Sequence, residues 1–214
     1  ETFPQQVADL VGYLHGALQP DHPFAVIRAQ PGPPPTSAPD VWLLGSSDYS
    51  ANLAAYLGLP FAYADFFGNT GRQGPAIAET YKRNFRPSEL CSEPRLNVTV
   101  QVVCAPTEEE AHFLASSRNL NRARRVLEAQ TGTRIQGLVP PEEASLVQVN
   151  AAAEEYAEQF TAGYIDGDPA QVKSALLETA ERYGTDDMGV VTITYRLEDR
   201  IRSYELIAKE MGLA

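Results

Sequence analysis

Three serine hydroxyls are grouped directly after a short apolar run, in the stretch "VWLLGSSDYS" that ends at Ser50. Gly45 has no side chain and lets a ligand approach the backbone closely. Ser46, Ser47 and Ser50 can each donate an O–H to a phosphate oxygen, and a helix that begins there would add unpaired N–H groups and a positive dipole end. The pattern therefore suits a phosphate monoester, although serines also cap helices for structural reasons.

A carboxylate, Asp65, directly follows the apolar run Phe61–Ala64. In that position it could orient a cofactor or accept a hydrogen bond from a substrate, or it could cap the following loop. The neighbouring Tyr63, Phe66 and Phe67 could wall a ligand, but core packing is the more frequent role of such aromatic residues.

The histidines and cysteines indicate neither a metal site nor a nucleophilic enzyme. His15, His22 and His112 lack the spacing of metal ligands, so we expect no metal. Cys91 and Cys104 lack it too and are expected to be reduced thiols of a cytoplasmic protein. Neither a Ser-His-Asp nor a Cys-His arrangement is visible in the sequence.

Four strands, each followed by a helix, are predicted to position these residues. The strands are Val41–Leu44, Phe61–Ala64, Leu96–Cys104 and Met188–Thr194. Their apolar runs are continuous rather than alternating, which is typical of a parallel sheet covered on both faces. Four such units are half of a (β/α)₈ barrel of the TIM type, and a small open doubly wound sheet is the alternative.

Capping residues mark several of the helices. Thr107 is predicted to begin one helix, Asp168 begins another with Pro169 at its first position, and Gly58 and Gly184 end two. Seven prolines predict an irregular connection over residues 20–40. Residues 107–166 are predicted to form a helical insertion after the third strand, within a single domain that covers residues 1–214.

Composition argues against two classes of partner. The net charge is -11 with a pI near 4.7, and the basic residues are largely dispersed, so nucleic acid is not an expected partner. No apolar run approaches the ~18 residues of a membrane span, and the first residues do not resemble a signal peptide. A soluble protein with no membrane partner is expected.

Four stretches carry a resemblance, and together they span nearly the whole chain: "PDVWLLGSSDYSANLAAYLGLPFAYADFF", "YKRNFRPSE", "CAPTEEEAHFLASS" and "GDPAQVKSALLETAERYGTDDMGVVTITYRLEDRIRSYELIA". In this order they resemble the luciferase-like monooxygenases, a flavin-dependent family. The resemblance implies a (β/α)₈ barrel of which the chain contains only the C-terminal half, strands five to eight. We therefore expect that the chain is part of a longer polypeptide, or that it pairs with a second copy or with the missing N-terminal half.

The resemblance also implies a cofactor site. The turn that contains Gly45, Ser46, Ser47 and Ser50 falls where the family holds the phosphate of FMN, and Asp65 is a further candidate contact. The implied reaction is a monooxygenation that uses molecular oxygen, an unidentified organic substrate and reduced FMN from a separate reductase. Two alternatives stay open, namely a non-catalytic protein that binds FMN and a barrel fragment without a ligand.

Overall fold

The computed structural model describes residues 2–27, 38–67, 73–132 and 137–213. Five parallel strands form the sheet, and the third strand lies at its centre. The strands are β1 Leu43–Gly45, β2 Phe61–Ala64, β3 Leu96–Cys104, β4 Ile165–Gly167 and β5 Asp187–Val191.

Eight helices are found in these residues. They are α1 Phe3–Leu14, α2 Asp48–Leu57, α3 Gly74–Asn84, α4 Glu108–Thr131, α5 Pro141–Ala144, α6 Ala151–Thr161, α7 Pro169–Tyr183 and α8 Leu197–Glu210. Residues 107–166 contain α4, α5, α6 and the first two residues of β4. Of the proline-rich residues 20–40, residues 28–37 lie outside the described part of the chain, and the others form no helix or strand.

The central strand β3 pairs with three neighbours along its length. Residues 96–99 pair with β2, residues 97–101 pair with β5, and residues 102–104 pair with the short β4. At the edge, β1 pairs with β2 in a register that places Gly45 opposite Tyr63. The carboxyl ends of all five strands therefore point the same way, and the loops that follow them meet at one edge of the sheet.

One face of the sheet packs against helices. Alternate strand residues such as Leu43, Phe61, Val98 and Val100 point to this side, where they join one core with residues of α1, α2, α3, α7 and α8. Helices α2, α3, α7 and α8, which follow β1, β2, β4 and β5, thus lie together on this face. Helix α4, which follows β3, packs against Val103 on the opposite face.

The opposite face is open along part of its length. Leu44 is 60% exposed although its neighbour Leu43 is 6% exposed, and Asn97 and Thr99 on the same side as Leu44 are half-buried. Further along β3, Val103 packs against α4. We call this face the inner face and the α4–β4 segment above its carboxyl end the roof.

The predicted elements agree with the structure wherever a local signal defines them. The bounds of β2 and β3 are confirmed, and Asp168 and Thr107 cap their helices. The first strand begins two residues later than predicted and the last ends three residues earlier, while β4 was not predicted. The expectation of a sheet covered on both faces is wrong for the described residues, because the inner face is covered only beneath the roof.

Candidate functional site

The Gly-Ser-Ser turn joins the carboxyl end of β1 to the first turn of α2, as predicted. Ser47 is the N-cap of this helix: its Oγ accepts a hydrogen bond from the N–H of Ser50 (3.4 Å), and Ser50 Oγ accepts one from the N–H of Ser47 (3.3 Å). The Ser50 hydroxyl donates to the carbonyl of Ser47 at 2.8 Å. Two of the three serines therefore stabilise the start of the helix.

Gly45 allows Ser50 to pack against the backbone. A Cβ atom at residue 45 would lie 2.1 Å from Ser50 Oγ and 2.3 Å from Ser50 Cβ, distances that would force the strand and the helix apart. The glycine is thus required by the close approach of a side chain in its own turn.

The donors that remain for a ligand are few. The hydroxyl of Ser46 and the N–H of Asp48 have no hydrogen-bond partner within the part of the chain that the structure describes, whereas the N–H of Tyr49 donates to the Asp48 carboxylate (2.9 Å). Ser46 is half-buried. A phosphate oxygen could take both free donors at the positive end of the helix dipole, so the turn fits a phosphate with Ser46 as its principal hydroxyl contact.

Asp65 lies on the helix-covered side of the sheet. It is 3% exposed, and one of its carboxylate oxygens accepts a hydrogen bond from the hydroxyl of Tyr183 at 2.6 Å. Burial, and then this hydrogen bond to Asp65, raise the pKa of Tyr183, so the hydroxyl stays a donor. The contact gives the carboxylate a structural role, and its assignment as a cofactor ligand stays a prediction.

A buried ion pair joins the two ends of the roof, α4 and β4, at the carboxyl end of the sheet. Arg118 of α4 is 2% exposed and pairs bidentately with Asp166 of β4, at 2.5 and 3.1 Å. Its guanidinium also lies 4.4 Å from the ring centroid of Tyr164 and bonds the side chain of Asn119. Removing one partner of such a pair would leave an uncompensated buried charge, so this contact fixes α4 against β4, which pairs with the end of β3.

A polar network continues from this pair to the inner face. Gln101 Nε2 donates to the carbonyl of Phe66 (3.0 Å) and to the hydroxyl of Tyr164 (3.2 Å). Arg122 Nη2 donates to the same hydroxyl at 2.7 Å. The network lies at the carboxyl edge of the sheet, where sites of parallel α/β proteins are built.

Sequence reasoning missed this network. Arg118 and Asp166 are 48 residues apart, and no motif links them. The stretch "RNLNRARR" reads as a basic helix surface, because a one-dimensional pattern does not show which arginine the β4 strand will cover. The single usable signal was Gln101, a long polar residue inside an otherwise apolar strand.

The cysteines are free thiols, and both are buried. Burial, with smaller contributions from the charges of Asp168 and Glu210, raises the pKa of the Cys104 thiol to about 11. No group of three or more histidine, cysteine, aspartate or glutamate side chains is arranged to hold a metal ion in the described ranges. Among the described helices, none has the length and hydropathy needed to cross a bilayer.

Comparison with known proteins identifies the family. A model of the luciferase-like monooxygenase family matches residues 5–187. The chain therefore belongs to the luciferase-like monooxygenases, and the family resemblance inferred from the sequence is confirmed.

The chain is also similar to curated proteins and to solved structures. The chain is 38% identical over 211 residues to an uncharacterized Bacillus subtilis protein, YwcH, covering 97% of this chain and 60% of that protein. The crystal structure of apo-MsnO8 superimposes with a TM-score of 0.78 at 30% identity, over 99% of this chain and 60% of that one. The chain thus spans about 60% of the length of each of these two proteins.

A more distant structure shares the fold. The oxygenating constituent of 3,6-diketocamphane monooxygenase from Pseudomonas putida, solved in complex with FMN, has a TM-score of 0.55 at 23% identity. The superposition covers 83% of this chain and 49% of that protein.

Proposed function

We propose that this chain contributes the phosphate-binding half of a monooxygenase that uses reduced FMN, molecular oxygen and an organic substrate. Membership of the luciferase-like monooxygenase family supports an oxidoreductase, and the FMN found in the diketocamphane enzyme supports the choice of cofactor. The observation that carries the proposal is the turn between β1 and α2, where the Ser46 hydroxyl and the Asp48 N–H remain without partners among the described residues.

The residues of the turn would bind the phosphate, and the inner face would receive the rest of the cofactor. Reduced flavin supplies the electrons that activate oxygen, so the protein needs to bind, orient and exclude water rather than to provide a nucleophile. Because the cofactor would supply the chemistry, the protein would not need a Ser-His-Asp arrangement, and none is visible in the sequence. We further propose that a separate reductase delivers the reduced flavin.

We also propose that the inner face is covered by the first half of a (β/α)₈ barrel. The chain spans 60% of its relatives, and its helices already cover the other face of the sheet. An exposed apolar side chain such as Leu44, at 60% exposure, is compatible with a surface that packs against additional strands.

The experiment is a fluorescence titration of the chain with FMN and, in parallel, with riboflavin, which lacks the phosphate. We expect FMN to bind at least ~10-fold more tightly, because a charged oxygen that accepts hydrogen bonds is worth about 1.5–3 kcal/mol. Ser46→Ala should lose most of this preference. Ser92→Ala, in an exposed loop, is the control and should bind both flavins as the original chain does.

Each outcome separates the proposal from its rivals. Equal affinity for FMN and riboflavin would contradict the phosphate assignment. Binding of neither would favour a barrel fragment that has no ligand by itself. Tight FMN binding without substrate-dependent oxygen consumption, once the first half of the barrel is supplied, would favour a non-catalytic flavin-binding protein.

A further inference from the structure

The side chain of Gln101 has an acceptor that nothing in the described residues satisfies. Gln101 is 1% exposed, and its Oε1 atom is buried with no hydrogen-bond partner within the described ranges. Val98, Val100 and Val102 point to the helix-covered core, so Gln101 points to the inner face. Buried polar atoms are almost always paired in native proteins, and this one therefore indicates a missing partner.

The orientation of the Gln101 carboxamide is fixed by its other end. The amide nitrogen lies 3.0 Å from the carbonyl oxygen of Phe66, which can only accept a hydrogen bond. If the amide were reversed, two oxygen acceptors would face each other. Hence Oε1, and not Nε2, is the atom that awaits a donor.

Arg122 contacts the same two groups as the amide nitrogen of Gln101. Arg122 donates through Nη2 to the Tyr164 hydroxyl (2.7 Å) and to the Phe66 carbonyl (3.4 Å), the same two groups that Gln101 contacts. Within the described parts of the chain no salt bridge joins Arg122 to an acid, unlike Arg118, which pairs with Asp166. The Gln101 carboxamide, with its unsatisfied acceptor, and a guanidinium with no acidic partner among the described residues are thus joined through the Tyr164 hydroxyl and the Phe66 carbonyl.

Gln101 lies toward the same end of the sheet, the carboxyl end, as the Gly-Ser-Ser turn. Gly45 is paired with Tyr63, and Tyr63 with Val98, so Gln101 lies two strands away and three residues further along. At about 4.8 Å between strands and about 3.3 Å per residue, the two Cα atoms are about 14 Å apart. Gln101 is also the first residue beneath the roof, since Thr99 on the same face is half-buried.

We propose that Gln101 and Arg122 recognise the imide edge of a flavin ring, an N–H flanked by two carbonyl oxygens. Gln101 Oε1 would accept from the imide N–H, and Arg122 would donate to an adjacent carbonyl oxygen. The ligand must offer a donor directly beside an acceptor, and this edge of the isoalloxazine does so at the end of the molecule remote from the phosphate. The inference rests on the proposed FMN function and assigns two residues to it.

The test compares FMN with N3-methyl-FMN, in which a methyl group replaces the imide hydrogen. Fluorescence titration of the unaltered chain should show at least ~10-fold weaker binding of the methylated flavin. Gln101→Leu keeps the volume of the side chain and removes the acceptor, so FMN affinity should fall ~10-fold and the preference for FMN should shrink to ~2-fold. Thr99→Val is the matched control, because its hydroxyl is on the same face and already donates to Asn97 (2.9 Å).

The outcomes distinguish this inference from the function on which it rests. If the unaltered chain binds FMN and N3-methyl-FMN equally, the imide assignment is overturned while the phosphate site stands, and an internal water becomes the partner of Gln101. A preference that persists in Gln101→Leu would also overturn it. If the unaltered chain binds neither flavin, the proposed function fails and this inference fails with it. The comparison of the two flavins uses the unaltered chain. It therefore still tests the inference if the Gln101→Leu variant folds poorly.

Discussion

At the scale of single residues, Asp48 places a negative charge beside the Gly-Ser-Ser turn, where we propose that the phosphate binds. Its carboxylate lies in the first turn of α2 and holds the N–H of Tyr49, which favours the helix but repels a phosphate. We expect Asp48→Asn to strengthen FMN binding about 3- to 10-fold at low salt and to leave riboflavin binding unchanged. Isothermal titration calorimetry at two salt concentrations would measure both.

The control for this change is Asp186→Asn, an exposed acid that precedes β5 at the opposite edge of the sheet. It removes the same charge and should leave FMN affinity nearly unaltered. Equal gains in the two variants would mean that net charge, rather than the turn, governs binding. A gain for riboflavin as large as that for FMN would contradict a phosphate beside Asp48.

The same scale shows what a sequence can and cannot reveal about a site. The capping role of Ser47 follows from residues within one turn of helix, so it was open to prediction. Which of the three hydroxyls keeps its proton for a ligand was not, because that depends on the Ser50 hydroxyl donating to the Ser47 carbonyl and on the 3.2 Å contact between the Ser47 and Ser50 hydroxyls. The partners of Arg118 and Gln101 come from residues 35 to 63 positions away, beyond the reach of any local pattern.

At the scale of elements, Gly45 controls how β1 meets α2. Gly45→Ala would place a methyl group 2.1 Å from Ser50 Oγ, and the resulting displacement should lower the free energy of unfolding by about 1–3 kcal/mol. Gly163→Ala is the control, since a Cβ there meets nothing within 4 Å and should change stability by less than about 0.5 kcal/mol. Urea unfolding followed by circular dichroism would compare them, and equal losses would contradict the steric argument.

Elements with strong terminal signals were predictable, and short ones were not. Helix α7 begins with Asp168 and Pro169 and ends before Gly184, whose φ of 60° suits glycine. By contrast, β4 has three residues and no periodicity of its own. It forms a strand because its backbone pairs with the end of β3 and because the side chain of Asp166 forms an ion pair with Arg118.

At the scale of the whole molecule, the two faces of the sheet have different roles. The continuous apolar runs of the strands predicted that both faces of the sheet are buried. Such runs do not show whether this chain or another one covers each face. In the described residues the helices cover one face, and the roof covers only the carboxyl end of the other. The family assignment and the 60% coverage of relatives lead to the proposal that further strands cover the rest.

Adjacent residues of β1 test this proposal directly. Leu43 (6% exposed) points to the helices and Leu44 (60% exposed) to the inner face. Leu43→Ala should lower the free energy of unfolding by about 2–5 kcal/mol, whereas Leu44→Ala should lower it by less than about 0.5 kcal/mol.

An inner face that lacks its cover should make the isolated chain self-associate, and Leu44→Lys should weaken that association. Sedimentation equilibrium and urea unfolding on the same samples would measure both properties. A chain that is monomeric at every concentration, or a Leu44→Ala variant as unstable as Leu43→Ala, would show that this face is not a packing surface awaiting a partner.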